Sequence, residues 1–265
     1  MGTQNDLVNF ATTGLQEAVR WSTVGIVGGS DEHKWTGIGA GSLIRLQGHY
    51  LILTAEHVIA STRHEDLRFF FPFRTPPGTA ERETIRGLVG APESALQTFE
   101  QIELGRIARD TDIDLAAIAV DPKLEESYPA RFFDIKSGGQ TPAEGTDILA
   151  TGYPRDLARQ TIPGEVVVFS HTELTEVLLT RDGLMNFDPS VHFLAAYHSA
   201  TEYAGANPTG LSGSGAWFHR PSPAPGLWHP NIDLAGLTVS WYPPQRLLKL
   251  LRRETIESFL GAHWT

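Results

Sequence analysis

The chain has 265 residues, 41% hydrophobic and 20% charged, enough to bury one large or two small cores. With 21 basic against 31 acidic residues its formal charge is −10, which argues against nucleic acid or an anionic membrane as a partner. There is no cysteine, so disulfides and thiol nucleophiles are excluded, and a cytoplasmic location is the simplest expectation.

The N-terminus lacks the basic and continuous apolar regions of a signal peptide. No run of about 18 apolar residues occurs, so no membrane-spanning segment is expected. Leu7, Phe10, Leu15 and Val19 fall at near-helical intervals, predicting a short amphipathic helix in an N-terminal extension over residues 1–20. From Ser22 onward short apolar runs punctuated by glycine replace that period. They predict strands over Thr23–Val27, Thr36–Leu46, Tyr50–Thr54 and Phe69–Phe73, the last stopped by the turn Thr75-Pro76-Pro77-Gly78.

A helical insertion is expected from Glu93 to Gln101, followed by a strand pair whose second member is the run Leu115–Val120. The charged, proline- and glycine-rich stretch from Asp121 to Glu144 reads as a linker between halves. Further strands are predicted at Asp147–Gly152, Glu165–Ser170, Glu176–Thr180, Phe193–Ser199, Gly215–His219 and Leu234–Trp241, with a proline-rich hairpin at Pro221–Pro230. Gln245–Leu260 is expected to close the chain as an amphipathic helical region. Each half reads as about six closely spaced strands, the pattern of an antiparallel barrel or sandwich.

Three residues in this frame carry chemistry. Ser212 lies in Asn207-Pro208-Thr209-Gly210-Leu211-Ser212-Gly213-Ser214-Gly215, where flanking glycines leave room for a substrate carbonyl and for converging backbone N–H groups. His57 stands where the apolar run Leu51-Ile52-Leu53-Thr54-Ala55 ends. Asp114 opens the apolar run that follows it, where a buried carboxylate needs a partner. Each also has an ordinary structural explanation: a hairpin loop, a packed or exposed histidine, a turn aspartate. Together they supply the hydroxyl, the base and the carboxylate that serine-based acyl transfer requires. Asp112 competes with Asp114 for the carboxylate role, and Ser214 competes with Ser212 for that of nucleophile. A second set, Ser212, Asp233 and His263, runs in the chain order of an α/β-hydrolase, but its Gly-x-Ser-x-Gly elbow fails because Ser214 holds the last position. No His-Glu-x-x-His motif is present, and neither a metal nor another cofactor is expected.

At this point the sequence resembles the trypsin/chymotrypsin superfamily of serine proteases, most closely its disulfide-free bacterial peptidase domains. The resemblance runs over most of residues 22–260 and rests on ordered blocks: Ala40-Gly41-Ser42-Leu43-Ile44, Thr54-Ala55-Glu56-His57-Val58, Asp114-Leu115-Ala116-Ala117-Ile118, Thr151-Gly152-Tyr153-Pro154, Gly210-Leu211-Ser212-Gly213-Ser214-Gly215, and the strand from Gly236 ending in Ser240-Trp241. It implies two six-stranded antiparallel β-barrels, residues 21–125 carrying His57 and Asp114 and residues 126–244 carrying Ser212, with a C-terminal helix over 245–265.

The roles it implies are Ser212 as nucleophile, His57 as general base, Asp114 as orienting carboxylate, and the N–H groups of Gly210 and Ser212 as oxyanion hole. Ala206, Ser240, Trp241 and Tyr242 are the implied substrate-binding positions, on a polypeptide substrate. Ala206 falls where basic-selective members carry an acid, so a small or apolar side chain is expected next to the cleaved bond. Tyr242 is expected to narrow the pocket mouth. Leu211 replaces the aspartate that pairs with a new N-terminal amine in secreted trypsins, which implies no amine-driven activation. The resemblance leaves two further readings open: a regulatory partner protein, and a latent or inactive protease-fold binding module.

Overall fold

The computed structural model describes residues 14–16, 18–28, 37–71, 102–127, 132–136, 138–154, 159–162, 165–167, 171–179, 183–197, 208–220 and 232–264. Residues 14–16 and 18–21 are helical, at the end of the expected N-terminal helix, and Ala18 and Val19 are buried in the central core. The predicted Glu93–Gln101 helix, the Thr75–Gly78 turn and the Pro221–Pro230 hairpin lie outside the described residues.

Six antiparallel strands form the first sheet: β1 (Thr23–Gly28), β2 (Gly37–Leu46), β3 (His49–Thr54), β4 (Leu67–Phe70), β5 (Leu104–Asp110) and β6 (Leu115–Val120), in the order β4-β1-β2-β3-β6-β5. A full six-stranded closure was expected here; among the described residues β4 and β5 end the sheet and do not pair with each other. The short helix α1 (Glu56–Ala60) follows β3. The stretch read as a linker is partly built. It contains α2 (Leu124–Ser127) and β7 (Phe133–Asp134), which pairs in parallel with β2. Arg45 on β2 grips Asp134 with both arms of its guanidinium, at 2.6 and 2.7 Å. That fork fixes β7 to the first sheet, so the first unit extends past residue 125.

The second half contains β8 (Asp147–Gly152), β9 (Arg159–Ile162), β10 (Glu165–Val167), β11 (His171–Leu178), β12 (His192–Ala196), β13 (Gly215–His219), β14 (Ile232–Tyr242) and β15 (Leu247–Arg252). Six of them close a barrel in the order β11-β12-β15-β14-β13-β8, while β9 and β10 pair separately. Here the sequence expectation needs correction. Residues 245–265 are not all helix, because Leu247–Arg252 is a strand and only α3 (Arg253–His263) is helical. Leu-Leu-Lys-Leu-Leu carries no clear period. Pairing with β12 on one side and β14 on the other overrides the helical preference of its leucines.

Between the two sheets lies a shared apolar layer, with Leu53 and Ala55 from one side and Leu149, Trp217 and Val239 from the other. α3 adds Ile256, Phe259 and Leu260, the i, i+3, i+4 stripe of a helix packed on a core. The same helix secures the chain running between the sheets: the Glu257 carboxylate accepts the N–H groups of Gly138 and Gly139, each at 2.9 Å. The fully buried Arg253 donates to Glu257 at 2.8 Å and to the Lys136 carbonyl at 2.9 Å. No helix of the described residues is long and apolar enough to cross a membrane.

One seam decides the position of the serine loop. The Ala40 N–H of β2 donates to the Ser212 carbonyl at 2.8 Å, and the Gly213 N–H donates to the Thr238 carbonyl of β14 at 2.7 Å. Gly213 has φ +85°, and a Cβ on it would overlap the Ala40 carbonyl oxygen and Thr54 Oγ1. Gly48, in the β2–β3 turn, has a similar φ of +88° but open space where a Cβ would go. Gly48→Ala is therefore expected to cost about 1 kcal/mol for its positive φ. Gly213→Ala should cost clearly more, because it must also part the seam. Denaturant midpoints of the two variants check this ordering.

Candidate active site

Asp114 owes its position to a turn. The Asp110 carboxylate accepts the N–H groups of Asp112 and Ile113 at 3.0 and 3.3 Å, and Asp114 itself takes φ +59°, a left-handed conformation that aspartate tolerates. The turn aims Asp114 at α1, whose Ala55 N-cap has no side-chain hydrogen bond. The Asp114 carbonyl accepts the Glu56 N–H at 3.2 Å, and its carboxylate accepts the His57 N–H at 3.0 Å. Orphan donors of the helix start are thus satisfied from across the sheet.

The same carboxylate holds the His57 ring, with Nδ1 at 2.8 Å from Oδ2 and 3.0 Å from Oδ1. A hydrogen bond from Nδ1–H fixes the tautomer that leaves Nε2 with its lone pair. The Asp114 contact holds the imidazole above its ordinary pKa of 6.5, while partial burial and the nearby Lys249 ammonium oppose it.

His57, Asp114 and Ser212 line one cleft of about 420 Å³, together with Pro208, Thr209, Thr238, Val239, Ser240, Trp241, Leu248 and Lys249. Ser212 is half-buried, and its hydroxyl is not hydrogen-bonded to the imidazole; such contacts often close only in the substrate complex. Behind it the loop is rigidly built. The Leu211 N–H donates to the Pro208 carbonyl at 2.8 Å and Gly210 has φ +105°, the left-handed third position of a type II turn. Among the described residues, the N–H groups of Gly210 and Ser212 donate to no acceptor. Leu211 is 1% exposed and packs in the second barrel core against Gly152.

The competing residues are elsewhere. Asp112 is exposed and outside the cleft. Ser214 is fully buried and donates to Thr238 Oγ1 at 3.2 Å. Asp233 pairs with Arg220, and His263 lies at the far end of α3, so neither joins Ser212. Of the substrate-binding positions, Ser240 and Trp241 line the cleft, while Ala206 lies outside the described residues. Tyr242 does not line it; its hydroxyl donates to the Met185 carbonyl at 2.9 Å, tying β14 to the segment before β12. Lys249 was missed by the sequence reading, although a single cation inside an otherwise leucine-rich run was a visible signal.

No protein-family model and no curated protein matches the sequence. Among solved structures, the chain is similar to the inactive form of the Rv3671c protease, at 14% identity and TM-score 0.51 over 97% of this chain and 95% of that one. It is similar to the active form of the Rv3671c protease from M. tuberculosis at 13% identity and TM-score 0.51, over 95% of this chain and 85% of that one. The fold is that of the chymotrypsin-like serine proteases, a mostly β architecture with two units meeting at a cleft.

A nuclear magnetic resonance titration should find the His57 imidazole ionising above the ordinary histidine range. Asp114→Asn removes the negative charge and turns one of the two accepting oxygens into an NH2 donor, so it should move that ionisation down. An unchanged value would mean that the pair is not formed in solution.

Proposed function

We propose that this chain, on its chymotrypsin-like fold, is a serine endopeptidase that cleaves polypeptides through an acyl-enzyme. The observation that carries the reading is the meeting of Ser212 with a carboxylate-held His57 in one cleft, beside two unengaged N–H groups. Ser212 Oγ attacks the scissile carbonyl carbon while His57 Nε2 takes its proton, and Asp114 stabilises the resulting imidazolium. The N–H groups of Gly210 and Ser212 face the oxygen that gains negative charge. The imidazolium then protonates the leaving amine, and a water deprotonated by His57 releases the acid and frees Ser212.

Leu211 bears on how the site is kept ready. In this reading a buried apolar side chain, not an ion pair with a new amine, holds the turn that presents Gly210. One observation favours a second reading, a latent module opened by a partner protein: the serine hydroxyl is not bonded to the imidazole.

Exposure of the purified chain to a fluorophosphonate separates the two. The protease reading expects modification of Ser212 alone, at a rate that an N-terminal extension leaves unchanged. It also expects Ser212→Ala to lower peptide turnover by roughly 10⁴ to 10⁶. No labelling supports the latent module, and strong activation by a freed N-terminal amine contradicts the role of Leu211. The base must be neutral, so kcat/KM should fall with decreasing pH on a limb lying above 6.5, the ordinary imidazole value.

A further inference from the structure

β15 is apolar except at Lys249 and at its last residue. Leu247, Leu248, Leu250 and Leu251 are buried, and Lys249 stands half-exposed among them. A cation in that place costs desolvation that a neutral side chain would not incur. Its register explains where it goes. Lys249 is the cross-strand partner of Ser240, so the two share a face of the barrel, and both line the cleft with Ser212.

The ammonium is poorly compensated there. Its hydrogen bond is a long one, 3.3 Å, to the Asn186 carbonyl, and no carboxylate of the described residues forms an ion pair with it. Asp114, the other charged group in the cleft besides the histidine, is already engaged by the His57 ring and backbone. An ammonium has three donors, so at least two are free for a ligand. Ser240 adds a hydroxyl to the same lining, and among the described residues no carboxylate other than Asp114 lines the cleft.

We infer that Lys249 is the specificity residue, selecting an acidic side chain, glutamate or aspartate, at the substrate residue whose carbonyl meets Ser212. This replaces the small or apolar side chain expected from sequence, and it rests on the serine-protease reading above. The free-ligand state of Lys249 fits the role: burial pulls its pKa below the ordinary lysine value, with the Asp114 carboxylate opposing, so a bound carboxylate would relieve a standing cost.

The test uses the full chain and peptide libraries that fix one residue before the cleaved bond as Glu, Asp, Gln, Leu or Lys and randomise the rest. In the unaltered protein, Glu or Asp should exceed Gln in kcat/KM by about tenfold to a hundredfold, the range of a charge-assisted hydrogen bond. Lys249→Met, of similar length without charge, should bring that ratio close to one. Lys249→Glu should make Lys the preferred residue. Should the charge reversal prevent folding, the methionine variant still decides the matter. Cleavage without an acidic preference, or a Lys249→Met variant with a shifted pH profile but the same preference, overturns the assignment of Lys249 alone. Absence of both cleavage and fluorophosphonate labelling overturns the protease reading, and this inference with it.

Discussion

A single backbone hydrogen bond, 2.8 Å from the Ala40 N–H to the Ser212 carbonyl, joins the sheet that carries the histidine to the loop that carries the serine. It works because Gly213 has no side chain, allowing the loop to lie directly on the Ala40 carbonyl and Thr54. Thr54 Oγ1 in turn donates to that same carbonyl at 2.7 Å, so the contact is fully satisfied on the first-sheet side. The apolar layer around Trp217 and Leu53 supplies the bulk attraction between the sheets but no register. Directional bonds at the seam provide the register, and the cleft inherits its shape from them.

The Asp114 turn follows similar logic. One carboxylate caps a five-residue helix that lacks its own cap and orients the ring of that helix's second residue. The structural and chemical roles of Asp114 are therefore not alternatives. The geometry that satisfies the helix start is the geometry that sets the histidine tautomer. The same economy appears at Leu211, which fills the second barrel core while shaping the turn at Gly210.

Much of this was legible in the residues. The strand Gly215–His219, and to within one residue the strand His49–Thr54, emerged from glycine punctuation and apolar runs, and His57, Asp114 and Ser212 were singled out from their chain contexts. Other features depended on partners distant in sequence. β15 looked helical because leucine favours helices, and only the strands on either side of it make it a strand. β7 hid in a charged stretch because two residues carry no period; its signal is the Arg45–Asp134 fork, which no local pattern reveals. Lys249 stood out as a lone cation in an apolar run, but which way it faces was not legible, since its face is fixed by its pairing with Ser240. Its positive charge also runs against the net charge of −10, so any preference for an acidic group arises at short range and not from the field of the whole molecule.

The claim that the sheets meet through Ala40 and Ser212 is tested most directly by hydrogen exchange at the Ala40 amide. Ala40 in β2 pairs with Gly25 of β1, but its N–H donates to the serine loop and not to β1, so its hydrogen-bond protection comes from the seam. The account predicts that this amide exchanges as slowly as the buried amides of β2 and β3, through opening of the whole fold. Exchange at the rate of an exposed loop, with the neighbouring strand amides still protected, would contradict it.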